Sequence, residues 1–255
     1  MLRPRIIPCL LVRNKGLVKT VRFGDGKYVG DPINAVRIFN EKKVDELIVL
    51  DIDATQDGLD PDYEMIKTLA AECRMPFCYG GGIKNADQAK KIIGLGVEKV
   101  ALSAAAVEQP QIITEIASEL GSQSVIAVLD VRKKRLGRSY EVWTCNGKNN
   151  SGKCPVEFAK LLEQFGVGEI VVNSISNDGV MEGYNLAILR QIRDAVSVPL
   201  TALGGAGSIA DMQAMLAELG VMGAAAGSLF VFKGAYKAVL INYPSEAERK
   251  MLYAV

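Results

Sequence analysis

The chain has 255 residues, of which 49% are hydrophobic and 23% are charged, and its net charge is +1. This composition is typical of a folded globular protein and gives no general attraction to nucleic acid or to a membrane surface. No apolar run reaches the roughly 20 residues that span a bilayer, and the first residues show no secretory pattern, so we expect a cytoplasmic protein.

The residues that most often bind metals are rare in this chain. It contains no histidine, which excludes histidine-based metal sites and catalytic triads and leaves proton transfer to Asp, Glu, Lys, Cys or Tyr. The five cysteines are scattered and never spaced as CxxC, which predicts reduced, mostly buried thiols. We therefore expect neither a metal nor a cofactor.

Eight short apolar runs recur from end to end of the chain. They are rich in Ala and β-branched residues and nearly continuously apolar, as strands buried on both faces are. In chain order the predicted strands are residues 6–11, 46–51, 77–79, 99–103, 124–130, 169–174, 200–203 and 223–226.

Helical patterns fill the intervals between these strands. Asp31 followed by Pro32 predicts a helix N-terminus, and Asn85 with Gln88 and Ser208 with residue 211 resemble capping boxes. Eight alternating βα units predict an α/β fold, a closed (βα)8 TIM barrel forming a single domain over residues 1–255. A doubly wound sheet is the alternative.

The two halves of the sequence resemble each other. Residues 46–53 match 169–176, and residues 80–83 match 204–207. This duplication predicts a barrel built from two similar (βα)4 half-barrels, whereas a doubly wound sheet would not predict such symmetry.

Glycine pairs follow the predicted third and seventh strands. Gly81-Gly82 and Gly204-Gly205 would let the backbone approach an anion closely, and Ser103 and Gly227-Ser228 follow at the next strand ends. Because ligands bind barrels at the C-terminal ends of the strands, two such sites indicate a ligand with a phosphate at each end. The alternative is that the glycines only turn the chain.

Four acids lie at predicted strand ends, namely Asp51, Asp53, Asp130 and Asp178. Asp130 directly follows a buried strand, which makes it the best candidate for general acid–base chemistry. An isolated aspartate there could equally be a solvated loop residue or a helix cap, and Asp178 with the following glycine could be a simple turn.

The opposite ends of four strands carry charges. Arg5, Glu46, Lys99 and Glu169 each open a strand, and their charges sum to zero. Charges at a barrel floor are unfavourable unless they are paired, so these four could close a ring of salt bridges. Solvated strand ends are the alternative.

Two long segments lie beside the predicted mouth. The basic run 132–138 follows Asp130 and could attract an anionic substrate. It belongs to an unusually long loop, residues 131–155, in which residues 140–147 could form a hairpin. Residues 15–30, which include Lys19, are predicted to form a second, mobile loop.

Together these residues resemble the cyclase subunit of imidazole glycerol phosphate synthase over nearly the whole chain. The matching stretches are 6–10, 30–32, 45–47, 80–83, 121–123, 148–152, 168–170, 178–179 and 204–207. The resemblance implies a (βα)8 barrel that closes an imidazole ring with ammonia. It also implies a glutaminase subunit, in a heterodimer, that docks on the barrel floor and releases that ammonia into the barrel.

The resemblance also implies roles for individual residues. It makes Asp130 one of two catalytic aspartates, and it places Lys19 on the flexible first loop. The implied ammonia gate is Arg5, Glu46, Lys99 and Glu169. The implied phosphate- and substrate-binding residues are Lys19, Asp51, Gly82, Ser103, Asp178, Gly179, Gly205, Gly227 and Ser228.

The departures from the family cluster at the mouth. Leu11 stands where the family has its other catalytic aspartate, and Ser103-Ala104 stands where it usually has Asn-Thr. Asn173 and Ser176 replace the usual Thr and Asp. All four gate residues remain, so the sequence indicates an intact docking face beneath an altered reaction face.

Three functions follow as hypotheses. The first is a cyclase-like subunit that supplies glutaminase-derived ammonia to a sugar amidotransferase of surface-polysaccharide synthesis. The second is an ordinary synthase subunit that tolerates Leu11. The third is a non-enzymatic scaffold that binds no phosphorylated ligand, which the two glycine-serine sites disfavour. The expected partners are a glutaminase and a phosphorylated small molecule.

Overall fold

The computed structural model describes residues 3–135, 137, 139–234 and 236–254. The strands are β1 (Arg5–Arg13), β2 (Gly16–Lys19), β3 (Lys27–Gly30), β4 (Leu47–Asp51), β5 (Phe77–Gly80), β6 (Lys99–Leu102), β7 (Val125–Lys133), β8 (Tyr140–Thr144), β9 (Asn149–Asn150), β10 (Glu169–Ser174), β11 (Leu200–Leu203), β12 (Gly223–Ala226), β13 (Phe232–Lys233) and β14 (Ala238–Val239). The helices are α1 (Pro32–Lys42), α2 (Tyr63–Glu72), α3 (Ala86–Gly94), α4 (Ala104–Glu108), α5 (Gln111–Leu120), α6 (Pro155–Gln164), α7 (Leu186–Arg193), α8 (Ile209–Leu219), α9 (Ser228–Val231) and α10 (Glu246–Tyr253).

Eight of these strands form a closed parallel barrel. They follow the order β10, β11, β12, β1, β4, β5, β6 and β7, and the pairing of β7 with β10 closes the circle. The (βα)8 TIM barrel predicted from the sequence is thereby confirmed, and the doubly wound sheet is excluded. The last three barrel strands have the predicted bounds, whereas β1 and β7 extend beyond theirs.

Both extensions continue into antiparallel hairpins at the mouth. Strand β1 pairs with β2, which pairs with β3, and β7 pairs with β8, which pairs with β9. The predicted hairpin after Asp130 is therefore confirmed. The segment predicted as a mobile loop over residues 15–30 instead contains strands β2 and β3, joined by a loop over residues 20–26. Leu17 and Val18 of β2 are buried against the barrel. The first strand of each half-barrel, β1 or β7, is thus extended by two antiparallel strands.

The half-barrel match is correct in outline but is shifted by one residue at the glycine runs. Gly80 lies opposite Leu50 in the sheet, and Leu203 lies opposite Asn173. Since positions 50 and 173 are repeat mates, Gly80 corresponds to Leu203. The pair Gly81-Gly82 therefore matches the pair at 204–205, and all four of these glycines have positive φ.

The apolar core has two parts. The larger part lies between the barrel and its helices. The smaller part fills the barrel interior and consists of Ile7, Cys9, Ile48, Cys78, Ala101, Ile126, Val128, Val171, Leu203 and Ala225. Leu11 and Leu50 pack against it from the mouth. This interior cluster separates the two ends of the barrel, which have different chemistry.

Two smaller expectations need correction. Only Cys9 and Cys78 are buried, while Cys154 is exposed, so the thiols are not mostly buried. Asn85 caps α3, but the Gln88 side chain accepts a hydrogen bond from the Lys84 backbone instead of closing a capping box. No helix in the described part of the chain is both long and apolar enough to span a membrane.

Candidate active site and barrel floor

Four charged side chains close a ring at the barrel floor. The Arg5 guanidinium donates to both Glu169 carboxylate oxygens, at 2.7 and 3.2 Å, and to Glu46. The Lys99 ammonium donates to Glu46 at 2.7 Å and to Glu169 at 3.1 Å. The Thr201 hydroxyl also donates to Glu169. The four residues therefore form a closed ring rather than four solvated strand ends.

Mutual pairing shifts the pKa values of three members of this ring. Burial alone would raise the pKa of Glu169, but Arg5 and Lys99 outweigh it and hold that pKa below its usual range. Burial would lower the pKa of each cation, and the two carboxylates instead raise both. Arg5, Lys99 and Glu169 therefore stay charged around neutral pH.

The opposite end of the barrel opens into a cavity of about 1320 Å³, including its open mouth. All ten residues predicted for catalysis and substrate binding line it. They are Lys19, Asp51, Gly82, Ser103, Asp130, Asp178, Gly179, Gly205, Gly227 and Ser228. The predicted basic run lies outside the cavity in its described residues, and Leu136 and Arg138 of that run lie outside the described part of the chain.

Asp130 lies on β7 at the base of this cavity. The Asn173 amide donates to one carboxylate oxygen at 2.9 Å, and the Ser103 hydroxyl donates to the other at 3.3 Å. Burial raises the pKa of Asp130 to about 7, although both hydrogen bonds oppose this shift. A carboxyl group with that pKa can give or accept a proton near neutral pH.

Leu11 faces the same cavity from the opposite wall. Strand β1 lies four strands away from β7 in the barrel order, and Leu11 lines the cavity there. Its side chain packs against the apolar interior cluster. The position facing Asp130 across the mouth therefore offers neither an acid nor a base.

Lys19 ends strand β2 and is buried at the mouth, whereas the sequence predicts it on a flexible loop. Only 6% of its surface is exposed, and its ammonium donates to the Cys9 carbonyl at 2.7 Å. A Cβ atom on Gly227 would lie 2.6 Å from that ammonium, so a larger side chain there would displace the ammonium. Burial lowers the pKa of Lys19.

Asp178 holds the first hairpin against the mouth. Its carboxylate accepts hydrogen bonds from the Thr20 hydroxyl at 2.7 Å and from the Phe23 backbone at 3.3 Å. Gly179 follows with φ of +67°, and a Cβ atom there would lie 2.2 Å from the Thr20 carbonyl oxygen. Burial raises the pKa of Asp178 despite these hydrogen bonds. Residues 178–179 thus form the predicted turn and also line the cavity.

Asp51 and Asp53 have local partners at the mouth. Asp51 accepts hydrogen bonds from the backbone of Asp53 at 3.2 Å and of Ala54 at 3.1 Å, and burial raises its pKa. Asp53 pairs with Arg13 at 2.7 Å. Sequence reasoning missed Arg13, although its position two residues after Leu11 on a strand predicts the same face.

The glycine pairs lie where the chain packs closely on itself. A Cβ atom on Gly205 would lie 2.1 Å from the Gly183 carbonyl oxygen, and one on Gly81 would lie 2.5 Å from the Asp51 carbonyl oxygen. Close backbone packing therefore requires these glycines whether or not an anion binds. Phosphate binding at the pairs stays a prediction.

Comparisons with known proteins agree with this architecture. A family model described as histidine biosynthesis protein matches residues 5–237. A protein of Vibrio vulnificus, provisionally named an imidazole glycerol phosphate synthase subunit, is 55% identical over 98% of this chain and 96% of its own length. A similarly named protein of Leptospira interrogans is 53% identical over 99% of this chain and all of its own.

A third relative has the synthase name without qualification. The imidazole glycerol phosphate synthase subunit HisF of Exiguobacterium sibiricum is 38% identical over 90% of this chain and 91% of its own length. These matches extend through both half-barrels and both ends of the barrel. The chain therefore belongs to the cyclase subunit family of imidazole glycerol phosphate synthase.

Proposed function

We propose that this chain is a cyclase-like subunit that docks a glutaminase on the barrel floor and receives ammonia through the barrel. It supplies this ammonia for amidination of a bacterial surface-polysaccharide sugar, such as one of the lipopolysaccharide O-antigen. One observation supports this proposal most strongly. The charged ring at the floor is complete, whereas Leu11 occupies the mouth wall opposite Asp130.

The exposure of the ring suits a gate that a partner can open. The side chains of Arg5 and Lys99 are 28% and 20% exposed, whereas those of Glu46 and Glu169 are 3% and 7% exposed. Arg5 binds Glu169 through two nitrogens, but Lys99 has one ammonium group on a flexible stem. Movement of Lys99 therefore breaks fewer directed contacts than movement of Arg5 would.

The barrel interior favours a neutral passenger. The cluster between floor and mouth is apolar apart from the thiols of Cys9 and Cys78. An ammonium ion would lose its hydration there without gaining a counter-charge, whereas neutral ammonia loses much less. The interior thus supports transfer of ammonia once the ring has opened.

The mouth supports an acceptor other than the usual cyclase substrate. Ring closure by the family requires an acid and a base, and loss of one positioned group lowers the rate by about 10²–10⁴-fold. Leucine cannot replace the missing group. A separate sugar amidotransferase would then perform the amidination, with this chain as its cytoplasmic ammonia supply.

A second function is favoured by Asp130 itself. This carboxyl group is hydrogen-bonded, faces the cavity and has a pKa of about 7. An ordinary cyclase subunit would use it to convert the bis-phosphorylated ribulosyl substrate PRFAR and ammonia to imidazole glycerol phosphate and AICAR in histidine biosynthesis.

Ammonia-dependent turnover of PRFAR separates the two functions. The purified chain is assayed with ammonium salt and no glutaminase, alongside Leu11→Asp, Asp130→Asn and the double variant. We expect no turnover by the wild type and a gain of at least about 10²-fold in Leu11→Asp, which the second substitution removes. Leu50→Asp is the matched control, because Leu50 also lines the mouth and should not restore activity.

Turnover by the wild type that disappears in Asp130→Asn would contradict the proposed function and establish the second one. Rescue of a histidine-requiring strain by the wild-type gene would lead to the same conclusion.

A further inference from the structure

We infer that Arg22 and Arg132 form a third oxyanion site at the rim of the mouth, separate from both glycine pairs. The group it accepts is a carboxylate or phosphate of a small-molecule ligand. The inference rests on the contacts of these two side chains and does not depend on the cyclase chemistry.

The two arginines line one cleft together with Ile175 and Ser176. The Arg22 side chain is fixed there by donating from Nε to the Ser176 carbonyl at 3.2 Å, so the rest of its guanidinium remains available. The adjacent residue Phe23 lines the main cavity. The cleft therefore adjoins the mouth across the first hairpin, where a ligand could reach both.

The second hairpin fixes the other arginine. A Cβ atom on Gly147 would lie 3.0 Å from Arg132 Nη2, 3.3 Å from Phe23 and 3.5 Å from Ile175. The tip of that hairpin thus packs where the first hairpin, Arg132 and the loop after β10 meet. The cleft is built from all three segments, which gives the two guanidinium groups defined positions.

The charge of the cleft is not balanced by carboxylates. Within the described residues neither Arg22 nor Arg132 forms a salt bridge, whereas the nearby Arg13 pairs with Asp53. Two guanidinium groups in one cleft repel each other, and an oxyanion between them would replace this repulsion by attraction.

Arg132 is diverted from the carboxylate that its strand position offers. It lies directly opposite Glu141 in the β7–β8 register. Glu141 instead binds Lys134 at 3.1 Å and Asn150 at 3.0 Å. The Arg132 guanidinium stacks on the Trp143 ring, 4.3 Å from its centroid. This stacking leaves the edge of the guanidinium free for a ligand.

The chemistry of the cleft selects an acidic group. Each guanidinium presents a planar fork of N–H donors that matches carboxylate and phosphate oxygens. The glycine pairs offer only backbone N–H groups. A ligand that used the cleft and the mouth together would therefore have an acidic group beyond those bound at the glycines, as a sugar acid or a further phosphate ester has.

The protein contains its own reporter for this site. Trp143 is the only tryptophan, and it contacts one of the two arginines. An anion bound to Arg132 should change its fluorescence. The intact purified chain is titrated with inorganic phosphate and, separately, with D-glucuronate, with chloride adjusted to keep the ionic strength constant because screening alone would affect the signal.

We expect a saturable fluorescence change with at least one anion. Arg22→Gln should raise the half-saturating concentration about tenfold or more, since a charge-assisted hydrogen bond is lost. Arg132→Gln should abolish the response or raise that concentration similarly, with binding checked by calorimetry because the substitution alters Trp143 directly. Arg135→Gln, which removes the same charge from the basic run outside the cleft, should titrate as the wild type does.

Each outcome decides the inference. A response to phosphate alone or to glucuronate alone supports the site and identifies its group. An unchanged half-saturating concentration in both cleft variants, an equal loss in Arg135→Gln, or no saturable response to either anion would overturn it. Because the isolated chain is used and no turnover is measured, failure here differs from failure of the proposed function.

Discussion

The floor and the mouth of this barrel each bury a carboxylate, with opposite results. At the floor, Glu169 is surrounded by two cations, and its pKa falls below the usual range. At the mouth, Asp130 has only neutral hydrogen-bond donors, and its pKa rises to about 7. The charge of the neighbours, rather than burial, decides which carboxylate stays ionised and which can transfer a proton.

The two ends also achieve rigidity differently. Ion pairs at the floor link strands β1, β6 and β10 with Glu46, the residue before β4. At the mouth, hydrogen bonds to Asp178 and close backbone packing at Gly179 hold the first hairpin. Three predictions, in order of expected size, test this difference.

Loss of one floor carboxylate should have the largest effect. Glu169→Gln would leave Arg5 and Lys99 with only Glu46 between them. We expect the free energy of unfolding to fall by about 3–5 kcal/mol, because breaking a buried ion pair leaves uncompensated charge. Urea denaturation followed by circular dichroism measures it.

The matched control is Glu157→Gln, which removes an exposed pair with Lys160 and should change stability by less than about 1 kcal/mol. If the two substitutions had equal effects, the ring would be no more than a set of solvated strand ends.

A methyl group at the mouth should have the next largest effect. Gly179→Ala would add a Cβ atom 2.2 Å from the Thr20 carbonyl oxygen and force the first hairpin to move. We expect the free energy of unfolding to fall by about 2–3 kcal/mol, the sum of positive-φ strain and overpacking. The same urea titration measures it.

Gly58→Ala separates these two contributions. Gly58 has φ of +69°, close to that of Gly179, but nothing lies within 4 Å of its added Cβ. Gly58→Ala should lower the free energy of unfolding by only about 1 kcal/mol, from backbone strain. Equal losses at the two glycines would show that the hairpin does not depend on close packing at Gly179.

The smallest effect should be a pH dependence. The pKa of Asp130 is raised to about 7, so the folded chain holds the proton of this carboxyl group more tightly than the unfolded chain does. The protonated Asp130 therefore contributes most to stability below pH ~4, and this contribution is lost as the pH rises to about 7. Asp130→Asn lacks this titration. Between pH 5 and 7, the free energy of unfolding of the variant should rise by about 1–2 kcal/mol relative to that of the wild type. This change is smaller than the limit of ~1.4 kcal/mol per pH unit, because water enters the mouth.

Urea midpoints of the two proteins at matched pH values measure this difference. A constant difference across the range would mean that Asp130 titrates as an ordinary exposed carboxyl group, and the contrast between floor and mouth would then disappear.

The sequence predicted the barrel because its signals are local and repeated. Strand β10 and the Ser208 capping box follow from residues adjacent in the chain, and the structure has both. The sequence match places the repeat one residue out of register at the glycines, since a short run of identical residues aligns equally well in two ways. The pairing of Gly80 with Leu50 decides between them.

The sequence could not show where single side chains point or what they contact. The sequence predicts Lys19 on a flexible loop, but the hairpin buries its ammonium against the Cys9 carbonyl. Arg13 and Thr20 went unnoticed as site residues because their partners, Asp53 and Asp178, lie 40 and 158 residues away. Contacts at such separations leave no local pattern.

The sequence by itself therefore determined the eight βα units, their duplication, the family and the residue types at both ends, because periodicity and motif spacing are properties of adjacent residues. Tertiary structure alone decided that four strand-opening charges close into a ring, that Leu11 faces Asp130 across the mouth, and that Arg22 and Arg132 share a cleft. These outcomes depend on the closure of the barrel, which brings together residues from different strands.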